Sequence, residues 1–147
     1  MRRLYGTETV DARLVDDVRP PEVEVHAAGY AATLALPPGL GGVERDGTTN
    51  PEQLFGGVYS GCFSFALEYV AGRRKADLRG LHLTATVRIG RGDDGGNDLE
   101  VDLLVRMPNV EQAAAEALCQ EATKYCPFHR AVAPTIHPTM TVEGRAG

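Results

Sequence analysis

Hydrophobic and polar residues alternate most cleanly between Leu81 and Ile89. Leu81, Leu83, Ala85, Val87 and Ile89 fall on one side, and His82, Thr84, Thr86 and Arg88 on the other. A period of two predicts a strand with one buried face. The stretch from Gly90 to Asn97 is rich in glycine and aspartate and predicts a turn. Leu99, Val101, Leu103 and Val105 then alternate on a returning strand, which makes an antiparallel hairpin. Earlier in the chain the pattern is weaker. Leu4 to Leu14 is strand-like, Val18-Arg19-Pro20-Pro21 is a turn, and Val23 and Val25 alternate with Glu22, Glu24 and His26 in a further strand. Ala27-Ala28-Gly29 bends that strand, Tyr30 to Leu36 stays extended, and Pro37 to Thr49 reads as a loop.

The period changes at Asn50. Asparagine is a good N-cap, Pro51 suits the first helical position, and Glu52 favours the positive end of the helix dipole. The helix is expected to run to about Ala71 and to end at Gly72 and the basic Arg73-Arg74-Lys75. Its middle is apolar or small nearly all round, as in a helix buried on most sides. Gly56, Gly57 and Gly61 weaken it locally and suggest close backbone packing. Pro108-Asn109 is expected to end the second hairpin strand and cap another helix, with Gln112 at the capping-box position and an end near Lys124. Pro127 bends the chain at Cys126, and Thr135 to Val142 reads as a last strand. The order β-β-α-β-β-α-β is α+β, and no repeat or linker divides it, so a single domain over 1–147 is expected.

Composition narrows the function classes. At 147 residues, 43% hydrophobic and 24% charged, the chain can bury a core without disulfides or metals. No window approaches 18 uninterrupted apolar residues, so no membrane span is expected. A net charge of −5 gives no footprint for nucleic acid or anionic membranes. Met1-Arg2-Arg3 is not followed by an apolar signal region, which leads us to expect a cytoplasmic protein.

The chemistry rests on three cysteines, Cys62, Cys119 and Cys126. Taken alone, Cys62 reads as a small core residue in the middle of a helix. Cys126 stands at a chain bend, and if Pro127 opens a short helix, Cys126 is its N-cap, where free N–H groups favour a thiolate. Cys119 lies two helical turns before Cys126, about 10 Å away, too far for a disulfide within an intact helix. Cys126 and His129 have a C-x₂-H spacing but no second short ligand cluster, which argues against zinc. Ser60 lacks the G-x-S-x-G elbow of a hydrolase. Arg19, stiffened by two following prolines, and Glu52 form a possible ion pair, or else two solvated surface charges.

Asn50-Pro51-Glu52-Gln53-Leu54-Phe55, Tyr59-Ser60-Gly61-Cys62-Phe63 and Cys126-Pro127-Phe128 together resemble the OsmC/Ohr family of peroxide-detoxifying proteins, and the run from Thr49 to Ala71 looks more like its organic hydroperoxide resistance (Ohr) branch. The resemblance implies an OsmC-like fold, an intertwined homodimer with antiparallel sheets packed around long central helices. It implies a thiol-dependent peroxidase that reduces alkyl or fatty-acid hydroperoxides. Cys62 would be peroxidatic and Cys126 resolving, with a disulfide between them. Arg19 would stabilise the thiolate and the peroxide, with Arg13 as the fallback, and Glu52 would anchor the arginine. Phe55, Tyr59, Phe63 and Phe128 would line the substrate. No cofactor is implied, only an external dithiol such as a lipoyl group. His129-Arg130 departs from the family pattern after the second motif. The alternative is a protein of the same fold that binds a ligand or senses redox state without turnover.

Overall fold

The computed structural model describes residues 10–147. Of the expected first strand, residues 4–9 lie outside that range. The chain forms two compact units, one ending at Leu54 and the other spanning Phe55–Gly147.

The first unit carries a four-stranded sheet in the order β1-β2-β3-β4. Strands β1 (Val10–Leu14), β2 (Glu22–Ala27) and β3 (Tyr30–Ala35) pair antiparallel, and the short β4 (Thr48–Thr49) pairs parallel with β3. The bend at Ala27-Ala28-Gly29 is a tight turn between two strands. Gly29 takes a positive φ of 76°, which glycine adopts without the steric cost a Cβ brings. The loop after β3 holds one 3-10 turn at Pro38–Leu40.

Helix α1 (Pro51–Arg74) starts in the first unit and runs through the second. Asn50 Oδ1 accepts from the Gln53 N–H at 2.8 Å, as an N-cap should. The expected end at Gly72 is wrong. Gly72 is inside the helix, and the left-handed residue that follows the last turn is Lys75, with φ 55°. With its 24 residues α1 is long and apolar enough to match a membrane span by length and composition, although its apolar residues do not form one uninterrupted run. Its inner face nevertheless belongs to a protein core: Tyr59, Phe63, Leu67 and Val70 are all 0% exposed. Gly56 brings its backbone close to β5, where a Cβ would lie 3.3 Å from Val87 Cγ2; Gly57 and Gly61 face open space instead.

The second unit has a three-stranded sheet in the order β5-β6-β7. Strand β5 (His82–Arg91) and β6 (Asn97–Glu111) form the expected antiparallel hairpin, and β7 (Thr139–Arg145) pairs parallel with β6. Val101, Leu103, Val105 and Met107 are buried at every second position of β6. They pack with α1 and with Ala115, Leu118, Cys119 and Ala122 of α2 (Gln112–Ala122). Each large side chain buried this way contributes on the order of 1.5–3 kcal/mol before the entropy of ordering it.

Two boundaries differ from expectation. Pro108-Asn109 does not end β6, which continues to Glu111, and Glu111 rather than Asn109 caps α2 by accepting from the Ala114 N–H. The ladder with β5 ends at Arg106 and the ladder with β7 is irregular between Met107 and Glu111, so Pro108 has no ladder bond to lose. The residues from Pro127 to Ile136 form a third helix, α3, where the last strand was expected to begin at Thr135. The architecture is α+β, with two sheets and three α-helices among the described residues.

Candidate active site

Pro127 opens α3 at its first position, where the missing N–H costs nothing. A proline disfavours helical geometry in the residue before it, and Cys126 takes an extended conformation and becomes the N-cap. Its sulfur accepts from the His129 N–H at 3.3 Å. The same sulfur meets α1: the Cys126 thiol donates to Cys62 Sγ across 3.4 Å, and both cysteines are free. Residues 64 positions apart are thus brought to van der Waals contact, Cys62 half-buried and Cys126 fully buried.

Burial dominates the electrostatics of Cys126. It pushes the thiol up to about 11, while the His129 and Phe128 N–H groups pull the other way and the bond to Cys62 adds to the rise. The N-cap donors favour the thiolate as expected, but desolvation outweighs them. Cys119 is buried away from this pair in the α2 core, and burial pushes its thiol up to about 12.

A second contact lies beside the thiols. Tyr59 Oη is 2.8 Å from His129 Nδ1, and the His129 ring also stands 5.9 Å from that of Phe63, centroid to centroid. Burial pushes the Tyr59 hydroxyl up to about 12 and holds His129 below its usual value. A phenol both donates and accepts, so the contact forms with either tautomer of a neutral His129 ring: Tyr59 donates when Nδ1 is bare, and Nδ1–H donates to Tyr59 Oη when it carries the proton. The sequence reading assigned no role to His129; a lone buried tyrosine hydroxyl, which needs a partner, was the signal.

Tyr59 and Phe63 were expected against the substrate, but both are 0% exposed. They occupy the inner stripe of α1, four residues apart, and serve as core. Phe55 is half-buried and Phe128 is exposed. Among the described residues no cluster of three or more histidine, cysteine or acidic side chains gathers as a metal site would.

In the first unit, Arg13 is ion-paired to Glu24 at 2.6 Å and Arg45 to Glu22. Among the described residues the exposed Arg19 guanidinium donates only to the neighbouring Val18 carbonyl, at 2.6 Å. Glu52 and Arg19 form no ion pair, and Glu52 Oε2 is buried without a hydrogen-bond partner among the described residues.

The family model for OsmC-like proteins matches residues 44–141, which include both cysteines and Glu52. The chain belongs to the OsmC family. It is 37% identical over 112 residues to an organic hydroperoxide resistance protein of Xanthomonas axonopodis pv. citri, covering 76% of this chain and 78% of that one. The crystal structure of an organic hydroperoxide resistance protein from Elizabethkingia anophelis superposes with a TM-score of 0.80 at 31% identity, covering 100% of both chains. That of OhrB from Bacillus subtilis gives 0.73 at 26% identity, over 97% of this chain and 100% of the other. This OsmC-family chain thus shares its α+β fold with proteins of the Ohr branch.

Proposed function

We propose that this protein is a cysteine-based peroxidase that reduces organic hydroperoxides to alcohols. The observation that carries the reading is the 3.4 Å contact between Cys62 and Cys126, set between the middle of one helix and the N-cap of another. The names of the Xanthomonas and Elizabethkingia relatives support organic hydroperoxides as the substrate class.

In this reading the Cys62 thiolate attacks the O–O bond, releases an alcohol and becomes a sulfenic acid. Cys62 takes this role because it is the more accessible sulfur. Cys126 then displaces water from the sulfenic acid and closes a disulfide. An external dithiol, of which a lipoyl group is the fitting kind, reopens it by exchange. Arg19 serves as the cation that favours the thiolate and holds the peroxide, with Glu52 as its anchor. Its guanidinium has no carboxylate partner among the described residues, whereas Arg13 is already paired, and Glu52 has an unpaired buried oxygen in the same unit. Half-buried Phe55 and exposed Phe128 are the aromatic side chains available to an apolar substrate. The chemistry needs no resident cofactor. The protein is read as a cytoplasmic homodimer.

The test is peroxide consumption with dihydrolipoamide or glutathione as donor. Cumene hydroperoxide should be consumed faster than hydrogen peroxide, and faster with dihydrolipoamide. Cys62→Ser should abolish turnover with little change in thermal stability, because a serine fills the same space but supplies no thiolate. Turnover that survives in Cys62→Ser would place the nucleophile elsewhere.

A further inference from the structure

The two contacts between α1 and α3 are arranged as a pair. Tyr59 precedes Cys62 by three residues, one turn along α1, and His129 follows Cys126 by three residues at the start of α3. The thiols meet at 3.4 Å, and one turn away the phenol and imidazole meet at 2.8 Å. His129 acts on both. Its backbone N–H holds Cys126 Sγ at 3.3 Å, while its ring holds α1 through Tyr59 and packs on Phe63. The hydroxyl of Tyr59 is in a residue with no exposure, so water cannot replace the imidazole if the helices shift.

We propose that the Tyr59–His129 hydrogen bond is a positioning device that fixes Cys126 Sγ against Cys62 Sγ and sets the rate at which the disulfide closes. The proposal rests on the peroxidase reading only for its biological step. In that step the Cys126 sulfur forms a bond to the Cys62 sulfur, the S–O bond of the sulfenic acid breaks, and the departing hydroxide leaves with the thiol proton as water. The sulfenic sulfur carries the oxidising equivalent, so no further oxidant enters. Neither Tyr59 nor His129 exchanges a proton with the reacting atoms; they keep the attacking Cys126 sulfur in line. If closure is slow, the sulfenic acid remains exposed to a second peroxide and proceeds to sulfinic acid.

The test separates the two chemical steps in Tyr59→Phe, His129→Leu and the double variant. Tyr59→Phe keeps the buried ring and removes one oxygen, and the double variant removes both polar groups and leaves an apolar contact, the two least disruptive changes; rates are compared only in variants whose circular dichroism and thermal unfolding match the parent. Sulfenic acid formation is read with Cys126→Ser in each background, by trapping with dimedone. Disulfide closure is read with diamide, which takes two electrons and two protons from the thiol pair and is thereby reduced to a hydrazine. Closure should slow by roughly tenfold in each single variant, as small misplacements of reacting atoms do. Sulfenic acid formation should stay within about twofold of the parent, and sulfinic acid at Cys62 should accumulate under excess hydroperoxide. The double variant should be no slower than the slower single variant, because the two groups act as one unit. Wild-type closure rates in both single variants would overturn the proposal, and so would equal losses in both steps. Diamide closure needs no hydroperoxide, so a protein that fails to consume hydroperoxide overturns the peroxidase reading while leaving this test intact.

Discussion

Single residues decide the chemistry, and their surroundings decide which state each holds. His129 shows this through its proton. Burial holds its pKa below the usual value, so the native state binds the proton less readily than the unfolded chain does. The unfolded imidazole titrates near ~6.5. Between that value and the lower native pKa the unfolded state holds more protons, so stability rises with pH there. The contribution is full above ~6.5 and is lost as the pH falls toward the native pKa. Urea unfolding midpoints measured from pH 7.5 down to 5 should fall, and His129→Leu should flatten the slope over that window. The carboxylates held low by their arginine or threonine partners (Glu24, Asp77 and Asp102) titrate below it. An identical slope in the variant would show that His129 is not the group concerned. Arg19 is tested by reactivity. If Arg19 is the proposed cation, Arg19→Ala should slow iodoacetamide alkylation of Cys62 at neutral pH by roughly tenfold, the effect of a one-unit rise in a thiol pKa. Glu52→Ala should slow it less, and Arg13→Ala, whose cation is spent on Glu24, should leave it unchanged. If Arg13→Ala is the slow variant, the roles of the two arginines exchange.

At the scale of elements, the sequence was legible wherever one local signal was strong. The alternation from Leu81 to Ile89 and the Asn50-Pro51-Glu52 cap were read correctly because each contains its own cause: a period of two, and a side chain that accepts the Gln53 N–H. Pro108 was misread because a proline ends a strand only where the ladder needs its N–H, and the irregularity between Met107 and Glu111 is a tertiary fact. Helix α3 was hinted at by Pro127, but the alternation beyond Thr135 competed with it, and the left-handed His137 that ends the helix carries no local mark. The cysteine pair was legible through the family resemblance, while the Tyr59–His129 bond was not, since nothing local relates residues 70 positions apart. The end of α1 gives a prediction that exploits one error. Gly72 lies within the helix, exposed, with nothing within 4 Å of where its Cβ would be, and Lys75 takes the positive φ that glycine prefers. Gly72→Ala should raise stability by about 0.5–1 kcal/mol through helix propensity, and Lys75→Gly by a comparable amount through relief of the left-handed strain. Thermal unfolding of both and of the double variant checks this; the effects should be near-additive if the two mechanisms are independent.

The whole molecule poses a question that the single chain does not answer from within. Helix α1 is apolar nearly all round, yet among the described residues only its inner stripe is buried. Val58, Phe65 and Tyr69 fall on the other side, 44%, 80% and 54% exposed. Tyr69 is partly occupied by the Tyr125 ring at 4.9 Å and by the Arg73 guanidinium, but Phe65 has no such neighbour among the described residues. A buried aromatic ring removes roughly 150–250 Å² from water, so leaving Phe65 bare in mid-helix forfeits a stabilising contribution that a second copy can supply. Two such faces meeting about a twofold axis would bury the same residues from each side, the self-complementary arrangement expected of a symmetric dimer. Light scattering coupled to gel filtration should therefore report twice the mass of a 15.8 kDa chain at micromolar concentration. Phe65→Glu should shift the protein toward monomer, because two carboxylates would be buried against each other. Diamide closure of Cys62 with Cys126 should survive in that variant, since both sulfurs belong to one chain and meet without a partner. A wild-type protein that runs as a monomer would leave the outer face of α1 without a homodimeric partner.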